Sequence, residues 1–470
     1  MKHKIFTLAM GATMALTAAA QDLRTSYFME TSVNRHEMNP ALLSESYVNI
    51  PLVLGNFNLG TTSNFGLKTF VYKMQPTWQG YGVDNRNLTT FMHPDVSASE
   101  FLGGLNDKSR LALNLKYQLV GVGFKAFGGV NSVELNLRSN TGISLPKSLF
   151  EFMKTAGEKT DYQIDELGIR SESFLELALG HSHKINDQIT VGAKAKFLFG
   201  AAYADLDAKK LNLHLSDDHW NIDGDIQMQA SLMNSTLEYE DPSKNDANGR
   251  RRISGIDEFK PSLSGFGMAF DLGATYQVMP DLMVSAAITD LGFISWSNTY
   301  MASSAGNWTF DGFKNPIYAG GEDTGNNKLD DQLDALTDDL EEIFSVYEDG
   351  KKSQSHALAA TINLGAEYTL PVYRNLRFGF LYTSRMAGKF AHHQAQLSAV
   401  VRPVKWFEAA WNMAGGTAGF TSGLVLDFRA KHFNFFIGTD RFFGKVSKQF
   451  IPLNKANTSV SLGLSVPLGK

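Results

Sequence analysis

The chain has 470 residues, 43% hydrophobic and only 19% charged, with a formal net charge of −5 and no cysteine. Cysteine-free, it has no disulfides, thiolate metal sites, cysteine nucleophile or lipoprotein anchor. The acidic balance offers no basic stripe for nucleic acid.

The first twenty residues read as a secretory signal. Lys2 and Lys4 give the positive start, Ile5 to Leu16 the short apolar run, and Ala18-Ala19-Ala20 the small residues for cleavage before Gln21. The competing reading is a buried N-terminal helix. Residues 21–60 are polar, with too few apolar side chains to fold alone, and are expected to form a plug inside whatever encloses them. The alternative is a periplasmic tail plus an extra strand. No stretch beyond the leader approaches the 18 to 20 apolar residues of a membrane helix.

From residue 64 onward, period-two alternation dominates over segments of about ten residues, the length of a tilted membrane strand. In Ile189 to Phe199 the apolar set Ile189, Val191, Ala193, Ala195, Phe197 and Phe199 alternates with Gly192, Lys194 and Lys196. Leu175, Leu177 and Leu179 do the same around Glu176, and Val460, Leu462, Leu464 and Val466 around Ser461, Gly463 and Ser465. A soluble β-sandwich also alternates, but its strands are shorter. An open edge cannot sit in lipid, so the sheet must close. Fourteen strands are predicted, near 64–73, 109–127, 130–140, 170–183, 187–203, 264–278, 282–297, 355–369, 374–386, 393–402, 405–413, 418–428, 432–440 and 457–468. Short turns and mostly longer loops alternate between them, as in outer-membrane barrels. In 109–127 the apolar phase slips near Gln118, which predicts a bulge. The lumen face carries Glu176, Lys194, Lys196, Asn363, Glu367 and Asp427. Gly192 and Ser465 also face inward, where an arginine would escape the lipid penalty paid at Val191 or Leu464 and meet only the cost of crowding. Trp296, Trp406, Trp411, Tyr368 and Tyr382 are candidates for an interfacial girdle.

The long loops hold further features. Residues 146–156 are expected to form a short helix with Leu149, Phe152 and Met153 on one face. Arg250-Arg251-Arg252 could meet lipopolysaccharide phosphates, or be solvated. Glu322 to Asp349 contains eleven acidic residues. Within it Leu329, Leu333, Leu336, Leu340, Ile343 and Tyr347 recur at helical spacing, predicting an amphipathic helix over 328–347. That helix reads as a lid or docking element, or as an acidic helix packed on the barrel mouth. His181 and His183 share one face of a strand and His392-His393 lie in a loop; neither pair has an evident third metal ligand. There is no nucleophile elbow, phosphate loop or zinc motif, so neither a catalytic site nor a cofactor is expected.

Several segments resemble a known group. Asn39-Pro40-Ala41 resembles the N-terminal tripeptide of FadL-like long-chain fatty acid transporters. Arg35-His36-Glu37-Met38-Asn39-Pro40-Ala41, Leu145-Pro146-Lys147-Ser148-Leu149-Phe150, Asp271-Leu272-Gly273-Ala274-Thr275-Tyr276 and Asp290-Leu291-Gly292-Phe293-Ile294-Ser295-Trp296 are similar to a Bacteroidota family of FadL-related outer-membrane barrels of unknown function. The type IX secretion shuttle barrel falls in the same broad group. The resemblance implies an all-β, 14-stranded transmembrane barrel with an N-terminal luminal hatch, and makes Asn39, Pro40 and Ala41 the candidate ligand or plug residues. The chain departs at its end, Leu468-Gly469-Lys470, where many barrels carry an aromatic residue. The expected function is binding or passage of hydrophobic small molecules across the outer membrane. The alternative is a scaffold for secretion or surface attachment with no transported ligand. Expected partners are outer-membrane lipid and lipopolysaccharide, a hydrophobic ligand and a surface or periplasmic protein.

Overall fold

The computed structural model describes residues 23–43, 46–49, 56–79, 88–156, 158–216, 219–232, 235–258, 262–304, 306–310, 345–441 and 457–468. The leader at 1–20 and most of the acidic helix at 328–347 lie outside the described residues.

Fourteen strands close into one antiparallel barrel. The first, β1, has two segments, Tyr47–Asn49 and Phe57–Ser63. There follow β2 (Lys108–Ala126), β3 (Gly129–Pro146), β4 (Leu167–Lys184), β5 (Ile189–Leu215), β6 (Gly265–Met279) and β7 (Leu282–Ser303). Strand β8 is again split, Tyr347–Ala357 and Thr361–Thr369. The rest are β9 (Leu376–Arg385), β10 (His392–Val404), β11 (Phe407–Gly416), β12 (Thr421–Arg429), β13 (Asn434–Thr439) and β14 (Thr458–Pro467). Each strand pairs with the next. The seam is closed by β14 on β1, with Leu59 opposite Val460 and Val48 opposite Val466.

Alternation puts the two chemistries on opposite faces. Outward stand Leu179, Val191, Leu364, Phe378, Phe380, Leu397 and Trp411, all exposed. Inward stand Glu176, Lys194, Lys196, Asn363, Glu367 and Asp427, all buried. This is an outer-membrane pattern, apolar outside and polar within.

The first strand corrects the sequence reading. Residues 64–73 are not in the wall; they hold a single helical turn, Leu67–Phe70, and a two-stranded ribbon of Val71–Lys73 with Leu88–Thr90. The wall begins at Tyr47, inside the span 21–60 assigned to the plug. Only Phe57 and Leu59 supply apolar outward side chains in Phe57–Ser63, and Asn58, Gly60 and Thr62 face in, so the pattern is too polar to read as a strand.

Bulges decide where side chains point. The register shifts between Gln118 and Val120 on β2, where the apolar phase slips. A second bulge lies on β7: Phe270 pairs with Leu291 but Leu272 with Ile288, so Asp271 faces two residues, Thr289 and Asp290. Asp290 takes φ +60° to fit, and the inward set changes from Ser285, Ala287 and Thr289 to Ile294 and Trp296. Trp296 is therefore fully buried, stacked on Tyr203 at 5.3 Å, and does not belong to a girdle. Trp411, Tyr368 and Tyr382 do face outward.

The strands β4, β5 and β7 outrun the barrel and build an external lobe. Trp220–Leu232 pairs with the upper part of β5, and Thr236–Tyr239 with Ile253–Glu258. Within β5 the buried residues are Lys194 and Lys196 below, but Leu211 and Leu213 above, packed with Tyr162, Ile164 and Ile222. The lower half is polar inside and the upper half is apolar inside, as in a water-soluble sheet. The change marks where the wall leaves an apolar surround. Helix Lys147–Thr155 packs on this lobe through Leu149 and Phe152 and on Phe91, Val96, Phe101 and Leu105 through Phe150, whereas Met153 is exposed. Tyr347, expected at a helix end, begins β8 opposite Ser303. His392 and His393 open β10 as strand residues, not a loop.

The three arginines at 250–252 engage the chain itself. Arg250 pairs with Asp246 at 2.7 Å and Asp349 at 2.6 Å. Arg251 pairs with Glu348 at 2.5 Å over the Tyr239 ring, and Arg252 lies 3.8 Å from Glu240. Burial pushes the Asp246 carboxyl up, but hydrogen bonds from the Arg250 side chain and backbone outweigh it and hold it below the usual range.

Candidate functional site: hatch, ion layer and chamber

Residues 23–43 are enclosed by the barrel. They form three short 3-10 turns, Arg24–Ser26, Val33–Glu37 and Pro40–Leu42. Such turns leave many backbone groups without internal partners, and wall side chains satisfy them. Asp440 accepts from the backbone N–H of Arg24 (2.9 Å) and Thr25 (2.8 Å) and from the Thr25 hydroxyl (2.6 Å). Glu408 accepts from the N–H of Thr31 (2.9 Å) and its hydroxyl (2.6 Å). Asn363 and Asn434 donate to the carbonyls of Met38 and Thr31, each at 2.9 Å. One face of the hatch is apolar: Leu23, Tyr27, Phe28, Met29, Met38 and Leu42 pack on Leu381, Val400, Ala410, Val425 and Phe436 from β9 to β13.

Asn39, Pro40 and Ala41 sit at the hatch–wall contact. Asn39 takes an extended backbone before Pro40, accepts from the Ala41 N–H at 3.0 Å, and donates to the Tyr27 hydroxyl at 3.2 Å and the Ala274 carbonyl at 3.4 Å. The tripeptide lies directly on two wall glycines. A Cβ on Gly192 would stand 2.3 Å from the Ala41 nitrogen, and one on Gly273 2.1 Å from Asn39 Oδ1. Gly192 thus faces inward, and crowding by the hatch, not lipid, sets the cost of a side chain there. Nothing in this geometry places the tripeptide in a ligand cavity.

Beside the hatch, charges fill the lumen. Glu134 meets His36 Nε2 at 2.5 Å and Lys194 at 3.1 Å, and accepts from the Tyr47 hydroxyl at 3.1 Å. Lys116 pairs with Glu37 of the hatch at 3.1 Å. Arg138 binds Asp290 through both terminal nitrogens, at 2.7 and 2.8 Å, and Glu176 at 2.7 Å. Lys196 bridges Asp290 (2.7 Å) and Asp271 (2.8 Å). The β7 bulge aims the Asp290 carboxylate into this cluster, and Asp271 accepts its N–H at 2.8 Å. The two Asp-Leu-Gly segments are thus partners across one ladder.

Above the ion layer lies a chamber of about 330 Å3. Ala112, Tyr203, Leu358, Met386 and Phe390 are among its lining residues. Its walls also include Arg110, Asn114, Arg170, Glu172, His356 and Arg385. Tyr203 is stacked between Trp296 and His356, the latter at 4.5 Å. The short turn Gly388–Phe390 folds into the mouth: Lys389 pairs with Asp207, and Phe390 covers Gly142. Apart from Trp296, which the sequence assigns to a girdle, these residues are not singled out by the sequence. Residues 387–392 read only as a loop, and the Trp296 stack depends on a bulge. The histidine pair His181 and His183 stands 5.7 Å apart, with His181 on Asn131. Among the described residues no three His, Asp or Glu side chains gather as a metal site.

Residues 40–440 match the Family of unknown function (DUF5723). The chain belongs to that family. No curated protein matches it. Among solved structures it is similar to the Ralstonia pickettii toluene transporter TbuX, at 9% identity over 96% of both chains with a TM-score of 0.41. It is also similar to the P. putida toluene transporter TodX, at 7% identity over 92% of this chain and 93% of that one (TM-score 0.40). A Pseudomonas aeruginosa FadL homologue matches at 10% identity over 91% and 90% (TM-score 0.33).

Proposed function

We propose that this family member is an outer-membrane barrel, exported with removal of residues 1–20, that binds a hydrophobic small molecule in its chamber for passage across the membrane. The observation carrying this reading is the chamber itself, closed below by ions and hatch and lined in part by Ala112, Tyr203, Leu358, Met386 and Phe390. A recessed space that sets apolar side chains beside polar ones able to orient a ligand is a usual form of small-molecule site. A barrel acting only as a scaffold has no need of such space. The reading of a FadL-related Bacteroidota barrel rests on the sequence segments quoted above. Asn39, Pro40 and Ala41 serve in it to seat the hatch. No catalytic role enters the proposal.

The test uses the full-length protein in detergent and N-phenyl-1-naphthylamine, whose fluorescence rises in apolar surroundings. The expected result is saturable binding, lost when Ala112→Trp fills the chamber and retained in an outward control, Leu397→Phe. Equal binding by Ala112→Trp overturns the chamber reading. Absence of binding by any form favours the scaffold.

A further inference from the structure

The connection between β9 and β10 is longer than a hairpin needs. Two residues can join adjacent antiparallel strands; here six intervene, 386–391, between Arg385 and His392. They cross the mouth of the chamber as a strap, and Met386, Ala387, Gly388, Phe390 and Ala391 belong to its lining. The strap lands on the opposite wall, since β3 lies seven strands from β10 in either direction round the barrel. Two side chains make the landing. The Phe390 ring lies on Gly142 of β3, where an added Cβ would stand 2.7 Å from Cδ1. Lys389 pairs with Asp207 of β5 at 2.5 Å, and its Nζ lies 2.7 Å from where a Cβ would stand on Gly168 of β4.

The backbone of the strap is tied only to itself and to its own side of the barrel. The N–H of Phe390 donates to the Ala387 carbonyl at 3.1 Å, that of Ala391 to Gly388 at 3.0 Å, and that of Met386 to Ala360, next to β8, at 2.8 Å. Among the described residues no backbone hydrogen bond joins it to β3, β4 or β5. Gly388 takes φ +57°, with open space where a side chain would stand, a conformation that glycine adopts at little cost. One part-exposed ion pair and one ring contact therefore hold the far end down. Segments with so few buried contacts open before the sheet that carries them.

We propose that residues 386–391 are the gate of the chamber, latched on β3 and β5 by Phe390 and Lys389, and that the hydrophobic ligand crosses the chamber mouth when this latch lifts. The gate rests on the chamber reading of the preceding section. The latch sets how fast a ligand enters and leaves, and the chamber below it sets how tightly the ligand is held.

The experiment locks the strap. The chain has no cysteine, so an introduced pair carries all the thiol chemistry. A Cβ on Gly142 stands 2.8 Å from Phe390 Cγ, which is one bond from the Phe390 Cβ, so the two positions are within disulfide reach. The full-length Gly142→Cys/Phe390→Cys protein is compared with itself, oxidised and reduced, by stopped-flow mixing with N-phenyl-1-naphthylamine in detergent. Oxidation is expected to slow association and dissociation alike, by about tenfold or more for a covalent latch, to leave the dissociation constant unchanged, and to be reversed by dithiothreitol. Lys389→Gln should speed both rates about two- to fivefold, the range for loss of a part-exposed ion pair, whereas Lys389→Arg keeps the charge and should match the parent protein. Each protein is first checked for the gel-mobility change on boiling that reports a closed barrel. If the cysteine pair lacks it, the Lys389 variants decide, because that side chain lies at the mouth and not in the barrel wall. Equal rates in the oxidised and reduced forms overturn the gate and leave the chamber with another entrance. A folded barrel in which the disulfide does not form overturns the latch. A change in the dissociation constant carried by the dissociation rate alone makes the strap a wall of the chamber and not its gate. Absence of binding by every form removes the chamber reading and the gate with it.

Discussion

Glycine is what lets the hatch lie against the wall. Gly192 and Gly273 receive Asn39 to Ala41, and Gly379 receives the Phe28 ring, whose Cδ2 would stand 2.2 Å from an added Cβ. Backbone atoms of Pro40 and Ala41 form the Gly192 contact, so no side-chain rotation relieves a substitution there. We expect Gly192→Leu to leave the barrel closed, by its gel shift on boiling, and to expel the hatch. Trypsin should then cut at Arg35 in the variant and not in the parent protein. Gly415→Leu is the control, since nothing stands within 4 Å of its Cβ. Protection of Arg35 in Gly192→Leu would show that these glycines do not seat the hatch.

At the level of elements, alternation carries the fold and bulges carry its exceptions. The faces of β4, β5, β9 and β14 are legible because lipid outside and charge inside give opposite residues to alternate positions. β1 was not legible, since Asn58, Gly60 and Thr62 leave only two outward apolar side chains. Trp296 was misplaced because the unpaired residue at Asp290 reverses the phase after it. The strands at 203–258 were hidden because their apolar residues point inward, as in a soluble sheet, just where a membrane pattern was expected. Of the site, Asn39, Pro40 and Ala41 could be named from sequence; the chamber could not, since it joins residues from eight strands and the connections between them. Depth along a strand sets the cost of a charge facing lipid. Leu397 is central in β10 and 61% exposed, so Leu397→Arg should cost about 2–4 kcal/mol. Val191 is the third residue of β5, beside a short turn, so Val191→Arg should cost about 0–1 kcal/mol. Urea unfolding in detergent compares the two; equal losses would mean that the wall is not buried in lipid at Leu397.

For the whole molecule, the described lumen is closed twice, by the hatch and by the ion layer beside and above it. The two are joined by Lys116 with Glu37 and Glu134 with His36. Deleting 23–43 removes Glu37 and His36 and leaves wall groups such as Asp440 and Glu408 facing open space. Water can solvate them, so the barrel should stay closed as a sheet. Its single-channel conductance in planar bilayers should rise well above that of the full chain. Conductance unchanged by the deletion would show that the ion layer alone seals the lumen.

The seam between β1 and β14 sets the order of assembly. It joins residues about four hundred positions apart, Leu59 with Val460, so closing it carries the largest loop entropy in the chain. It is also thinly built: β1 pairs through two short segments, and β13 beside it has six residues. Every other strand pair forms between chain neighbours and can zip first. The hatch is attached to β1, the strand that arrives last, and its Leu23 end reaches up to His392 and Asp440, away from the short turns. A closed cylinder would have to be threaded by that end. An open one can be wrapped around it, with Phe28 already on Gly379, so the hatch acts as the mandrel on which the last seam is drawn shut.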